Sequence, residues 1–289
     1  MAKKKKAKDE KKVWKCQKCG KEIDVDGLQM TEEELEELEK NNELICYECA
    51  TKVELPEGKF RISTNLVDFT TYLRNLTQYL ENVAVKVSNE GLRIIAPDRA
   101  MICVCDLNLP KDFFTTFEFE GKKPIELGVD IEFLYKVISK AKTQTEIRYD
   151  KENGLWVSFD NTDFKIPIIE VQNELPPIEE LKPTTTIRLE ANEFRRIIEY
   201  ADLISDRLTI RCNGNVVFEA EGNSSKMVSN GSLYEGKDAK ASYPIEYLKK
   251  LRFPDPQVEI RFGQDYPMIL TNGHFRFILA PRVTEDYGE

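Results

Sequence analysis

EIRYDKENGLWVSF at residues 146–159, followed by TDFKIPII at 162–169, is matched near the other end of the chain by VEIRFGQDYPMILTNG at 258–273 and HFRFILAP at 274–281. Each stretch alternates apolar and polar residues and is broken by Asp, Asn, Gly or Pro, the pattern of antiparallel strands joined by turns. Ahead of each copy comes a segment with helical spacing, GVDIEFLYKVISKAK (128–142) and YPIEYLKKLR (243–252). Ahead of those come FRISTNLVDFTTYLRNLTQYL (60–80) and IRLEANEFRRIIEYADLI (187–204). Each half therefore reads strand, helix, strands, helix, strands. The acidic, proline-bearing stretch EVQNELPPIEELKPTTT (170–186) between them reads as an extended connector. The fold class is α+β, built from a duplicated unit of roughly 100 residues, an ordinary domain size.

The four helices share a design. Leu66, Phe69, Leu73, Leu76 and Leu80 recur at three- and four-residue spacing in the first, as do Leu134, Val137, Ile138 and Ala141 in the second. Phe194, Ile197, Ile198 and Ala201 do so in the third, and Ile245, Leu248 and Leu251 in the fourth. These stripes must face a sheet. The faces left over carry Arg74; Lys136 and Lys140; Arg195 and Arg196; and Lys249, Lys250 and Arg252. A charged helix face is ordinarily just solvated. What singles these out is that the same positions of a repeated unit are basic in a chain of net charge −9. On overall charge alone, nucleic-acid binding would be discounted; the distribution argues the other way.

The N-terminal part has a different texture. Residues 1–12 hold seven Lys against one Asp and one Glu and read as a disordered basic tail. Residues 13–57 hold Cys16-Gln-Lys-Cys19 and Cys46-Tyr-Glu-Cys49 around an acidic helix begun by Thr31, with Glu34 completing a capping box. Two such pairs can close a tetrahedron of thiolates, so one structural Zn2+ is expected on Cys16, Cys19, Cys46 and Cys49. A redox dithiol is the competing reading of a single pair. Cys103, Cys105 and Cys212 lie in apolar strand contexts and read as core.

Together these features resemble the sliding clamps of archaea and eukaryotes, the proliferating cell nuclear antigen (PCNA) family, over about residues 59–284. The matching segments are EGLRIIAPDRAMICVCDLNLP (90–110), KIPIIEVQNELPP (165–177), YPIEYLKKL (243–251), DYPMIL (265–270) and FRFILAPRV (275–283). The resemblance implies a homotrimer ring with sheets outside and helices lining a hole for duplex DNA. Residues 58–172 and 187–289 become the two clamp domains, with 173–186 as connector. The ring would serve as a processivity factor, opened by a clamp loader ATPase, that tethers DNA polymerase, nuclease and ligase through short peptides with a hydrophobic plug. The implied peptide pocket takes Met101 and Ile102 from a central loop, Leu175 and Ile178 from the connector, Pro267, and Leu279, Ala280 and Pro281 from the C-terminal strand and tail. The implied subunit contact takes Phe164 and Ile166 on one edge and Met227 and Val228 on the other. Two departures from the family stand out. The first helix offers Thr70, Thr71, Thr77 and Gln78 beside its single cation Arg74, and the stretch SLYEGKDAKAS (232–242) is short, which predicts a trimmed strand.

No catalytic motif is present. The single histidine, His274, lies in a strand turn, and no Walker-type loop, G-x-S-x-G or H-E-x-x-H occurs. The apolar runs are far shorter than the roughly 20 residues of a membrane-spanning helix, and no signal peptide is visible, so an intracellular setting without membrane partners is expected. The alternatives to a replication and repair clamp are a clamp-fold protein specialised for something else, such as damage signalling or transcription, and a zinc-ribbon nucleic-acid-binding regulator whose clamp part is only a scaffold.

Overall fold

The computed structural model describes residues 13–17, 20–23, 25, 31–41, 43–44, 53–142, 144–172, 174–231 and 233–282. The chain separates into two compact units, residues 1–54 and 55–289.

In the first unit, α1 (Glu32–Lys40) starts at Thr31 with the capping box that the sequence predicts. The Glu34 amide donates to Thr31 Oγ1 at 3.3 Å and the Thr31 amide donates to Glu34 Oε2 at 2.7 Å, so two otherwise orphaned amides are satisfied. Trp14, Leu35 and Leu44 make a small core.

The second unit is antiparallel throughout its described strand pairs and shows the duplication element by element. The first half runs β1 (Lys59–Asn65), α2 (Leu66–Thr77), β2 (Asn82–Ser88), β3 (Gly91–Pro97), β4 (Cys103–Pro110), β5 (Thr116–Glu120), β6 (Ile125–Asp130), α3 (Ile131–Ile138), β7 (Gln144–Asp150), β8 (Gly154–Phe159) and β9 (Thr162–Ile166). The second half repeats that order with β10 (Thr185–Glu190), α4 (Ala191–Asp202), β11 (Arg207–Asn213), β12 (Asn215–Glu221), β13 (Lys226–Asn230), β14 (Tyr234–Gly236), β15 (Ala239–Pro244), α5 (Ile245–Leu248), β16 (Gln257–Phe262), β17 (Met268–Asn272) and β18 (Phe275–Leu279). Strand pairings repeat as well. β1 takes β5 and β7 as neighbours and β10 takes β14 and β16; β2 takes β3 and β6 and β11 takes β12 and β15.

Among the described residues one pairing has no counterpart. β18 of the second half pairs antiparallel with β4 of the first, Phe275 opposite Leu107 through Leu279 opposite Cys103. That junction fuses two sheets into one of nine strands, in the order β14-β10-β16-β17-β18-β4-β3-β2-β6. The equivalents of its two members are β9 and β13. Each lies at the edge of its own sheet, with β8 and β12 respectively as its partner among the described residues.

The predicted helix stripes are buried as expected, with Ala141 only partly so, and they join one core that runs through both halves. Cys103, Cys105 and Cys212 are buried in that core. The helices form a row: α3 beside α2, α4 beside α5. At the seam the Asn75 side chain donates to the Arg252 carbonyl and accepts from the Arg252 amide, both at 2.8 Å. The Tyr79 hydroxyl donates to the Tyr247 carbonyl nearby. β14 is indeed trimmed, three residues paired with Thr185–Ile187 and ended by Gly236 at φ 104°.

Candidate nucleic-acid interface and partner groove

The helix row carries the basic residues, and their surroundings are unequal. Arg74, Lys136, Lys140, Arg196, Lys249 and Lys250 are exposed, while Arg195 and Arg252 are half-buried. Lys136 is bridged to Glu132 at 2.7 Å and Lys249 to Asp202 at 3.0 Å. Lys250 Nζ sits 5.8 Å from the ring centres of both Tyr79 and Tyr247, which stack on each other. Such a cation is held in place while keeping its charge. Arg195, Lys249 and Arg252 line one hollow between α4 and α5, and Arg195 Nε is buried there with no acceptor among the described residues. The first helix differs. Thr70, Thr71, Thr77 and Gln78 turn their donors onto carbonyls of their own helix, those of Leu66, Val67 and Arg74.

On the opposite side of the nine-stranded sheet lies the other candidate site. Strand alternation puts Ile95, Val104, Ile269 and Ile278 outward, where Ile178 and Leu181 of the connector pack on them. The connector passes over as LPPIEE, with a short 3-10 turn at Ile178–Glu180, and encloses a cleft with Arg93 and Ile95. Leu175 is exposed, and Ile178 and Pro267 are half-buried. The central loop is built around one carboxylate. Asp98 Oδ1 accepts the amides of Ile102 and Cys103, both at 2.8 Å, and its Oδ2 accepts the Tyr247 hydroxyl at 3.1 Å. Burial first, then the negative charge of Asp98, push the Tyr247 phenol up to about 12, so it remains a neutral donor. The loop presents Met101, at φ 56°, and Ile102 to solvent. Ala280 donates its amide to the Ile102 carbonyl at 2.9 Å, which ties the chain beyond β18 to that loop.

Two residues expected at surfaces are internal. Leu279 is fully buried, because it shares parity with Phe275 and Phe277, which face the core. Ile278 and Ala280 point the other way, so the residue that faces the connector is Ile278, one position from the expected Leu279. Ile166 is likewise 1% exposed and packs inside its own core; only its backbone can reach a neighbour. Phe164 is half-buried against Phe159, Met227 is half-buried and Val228 is 51% exposed. Ile95, Val104, Ile269 and Leu181 were missed, although the alternation of β3, β4 and β17 was sufficient to place the first three. His274 sits at a turn against the rings of Tyr72 and Phe113, a packing role.

Of the four expected zinc ligands, Cys19, Cys46 and Cys49 lie outside the described residues. Cys16 is buried. Its amide donates to the Lys21 carbonyl at 2.9 Å and its carbonyl accepts the Gly20 amide at 2.8 Å, closing a tight turn with Gly20 at φ 73°. The Gln17 amide donates to the Leu44 carbonyl at 2.9 Å.

No family model matches the sequence. Relatives do. The DNA polymerase sliding clamp of Pyrococcus abyssi is 30% identical over 241 residues, which cover 75% of this chain and 96% of the relative. A crystal structure of PCNA from Thermococcus kodakaraensis superposes with a TM-score of 0.70 at 27% identity, covering 77% of this chain and 100% of that one. A. fulgidus PCNA, in a structure with the C-terminal region of FEN-1 bound, shares the fold with a TM-score of 0.70 at 22% identity, covering 78% and 100%. Clamps of this kind are processivity factors and perform no chemistry themselves. The chain belongs to the DNA polymerase sliding clamp family.

Proposed function

We propose that copies of this chain join head to tail into a closed ring of three that encircles duplex DNA and tethers replication and repair enzymes inside the cell. The observation that carries this is the unmatched β18–β4 junction. Its two members have equivalents, β9 and β13, that stand at open sheet edges at corresponding places of the repeat. Pairing β9 of one copy with β13 of the next would repeat between chains the junction already made within the chain, and a repeated heterologous junction closes into a ring when its rotation divides a full turn. Phe164, Met227 and Val228 would supply side chains to it. The helix row would then line the hole, with Arg74, Lys136, Lys140, Arg195, Arg196, Lys249, Lys250 and Arg252 toward phosphates, an interaction independent of sequence that permits sliding. Met101, Ile102, Leu175, Ile178, Pro267, Ala280 and Pro281, with Ile278 in the wall, would receive the hydrophobic plug of a partner peptide. The bound FEN-1 region in the A. fulgidus structure is in keeping with that use. Tethering raises a partner's effective concentration at the primer end; a clamp loader ATPase would open the ring.

Light scattering across a dilution series should give three chains per particle. After loader treatment, the protein should stay on closed circular DNA and leave once the circle is linearised. Equal loss from both templates would sink the ring and favour a regulator acting through its N-terminal unit.

The N-terminal unit is proposed to hold one structural zinc on Cys16, Cys19, Cys46 and Cys49. The donor set is all-thiolate, which leaves no open position for catalysis. Supporting it, Cys16 lies buried at a turn closed by Gly20, and the Gln17 amide donates to the carbonyl of Leu44, which stands two positions before Cys46 in the sequence. A core of Trp14, Leu35 and Leu44 is small, and bound zinc contributes about 10–16 kcal/mol in comparable peptides. Elemental analysis should find one zinc per chain, and chelation should unfold this unit while the clamp stays folded. Unchanged metal content in Cys16→Ser would refute the site. With the basic tail, the unit supplies a second contact for DNA or for a protein.

A further inference from the structure

The outward apolar island of the nine-stranded sheet is bordered by a charge cluster that neither DNA contact nor subunit contact uses. Asp106 is 4% exposed. Arg93 reaches it with Nε at 3.0 Å and Nη2 at 3.2 Å, and Arg276 with Nη2 at 2.8 Å. The cluster spans the internal junction, since Arg93 stands on β3 and Arg276 on β18. A single pair would neutralise Asp106; the second guanidinium leaves one surplus positive charge. Donors remain on both forks. Among the described residues Arg93 Nη1, Arg276 Nη1 and the buried Arg276 Nε meet no acceptor, and the two side chains are 42% and 37% exposed. Arg93 also belongs to the cleft beneath the connector, so that cleft and the hollow around Asp106 and Arg276 meet at its side chain. The connector wall carries Glu179 and Glu180. The groove thus has an apolar floor and a basic flank at Arg93 and Arg276, with Glu179 of the connector within electrostatic reach of Arg93.

We infer that the basic flank is a carboxylate-reading subsite: a partner peptide that seats its hydrophobic plug in the groove also places an Asp or Glu side chain against Arg276 and Arg93. The inference rests on the reading of this groove as the partner-peptide site. Planar guanidinium forks match carboxylates in two-point geometry, which gives direction as well as attraction. Asp106 acts here as a positioning residue, holding both guanidinium groups at the groove edge while lowering their net charge.

The test uses the full-length protein and a series of labelled serine-rich peptides with one Leu-Phe-Phe plug. Glu is placed at each flanking position in turn, with Gln as the control at the same position, and affinity is read by fluorescence anisotropy. At one position on one side of the plug, Glu should bind about fivefold tighter than Gln, the upper range for a partly exposed charge pair, and high salt should erase the difference. Arg276→Met should abolish the preference, costing the Glu peptide more affinity than the Gln peptide; Arg93→Met is the second variant should the first not fold. Asp106→Asn should enlarge the preference, because the competing carboxylate is gone. A cluster that merely braces the junction gives a different pattern: no Glu position stands out, or Asp106→Asn and Arg276→Met weaken all peptides alike. Either result overturns the subsite. If no peptide in the series binds the unaltered protein, the groove reading itself fails and takes this inference with it.

Discussion

The meander β7–β8–β9 and the meander β16–β17–β18 are the same three-strand unit, yet they end in opposite circumstances. β18 is covered on both sides, by β17 and by β4 from the other half, and three of its five residues face the main core. β9 has β8 on one side, and its residues read exposed, exposed, half-buried, exposed, buried. The sequences show the same contrast. Phe275, Phe277 and Leu279 alternate with Arg276 and Ile278, whereas Thr162, Asp163 and Lys165 surround Phe164 and Ile166. An edge strand that carries charge resists indiscriminate pairing and reserves its backbone for a specific neighbour. Duplication therefore supplied two copies of one edge; one is joined within the chain, and in the proposed ring the other is kept for a partner.

The largest effect should come from emptying equivalent aromatic sites. Phe277 is fully buried and packs 4.9 Å from the Tyr79 ring, so Phe277→Ala should cost about 3–5 kcal/mol of unfolding free energy at any protein concentration. Phe164 stacks on Phe159 at 5.2 Å from a half-buried position. Phe164→Ala should cost a smaller amount, and one that depends on concentration, because part of its burial comes from assembly. Denaturation curves at several concentrations separate the two. Equal, concentration-independent losses would show that the two meanders are not functionally distinct.

A smaller energetic change tests the open edge directly. Val228 is 51% exposed on β13, and a surface substitution there should alter the stability of the isolated subunit by less than about 0.5 kcal/mol. Val228→Glu places a charge inside the proposed junction, so light scattering should shift toward single chains with the melting of each chain unchanged. An intact assembly would move the contact away from β13.

Much of this arrangement was readable in the sequence, and the exceptions have a common cause. The helix stripes follow from local spacing, and Leu66 to Leu251 are buried where that spacing puts them. The duplication, the connector and the trimmed β14 were visible as repeats and lengths. What local reading did not resolve was parity and distant pairing. Leu279 and Ile166 were assigned to surfaces through the family resemblance, and only pairing registers such as Leu270 with Phe277 and Leu155 with Ile166 decide which face each takes. The seam between Asn75 and Arg252, and the cluster of Arg93, Asp106 and Arg276, join residues up to 177 positions apart. Nothing in the neighbouring sequence of either partner specifies the other.

The smallest expected effect asks whether the halves also differ toward DNA. Three of the eight cations lie in the first half (Arg74, Lys136, Lys140) and five in the second, and one in each half is already bridged to a carboxylate, Lys136 to Glu132 and Lys249 to Asp202. The first half has little to add, since the hydroxyls of Thr70, Thr71 and Thr77 are committed to carbonyls of their own helix. In the second half Lys250 is fixed over two tyrosine rings and Arg196 stands exposed on α4. Arg196→Met with Lys250→Met should therefore flatten the log–log salt dependence of duplex binding by about 0.9 for each phosphate that is no longer neutralised. Arg74→Met with Lys140→Met removes the same two charges per chain and serves as the control for net charge. Its slope should change less. Identical slopes for the two double variants would mean that DNA feels the charge of the helix row as a whole, and that the unequal halves matter for assembly alone.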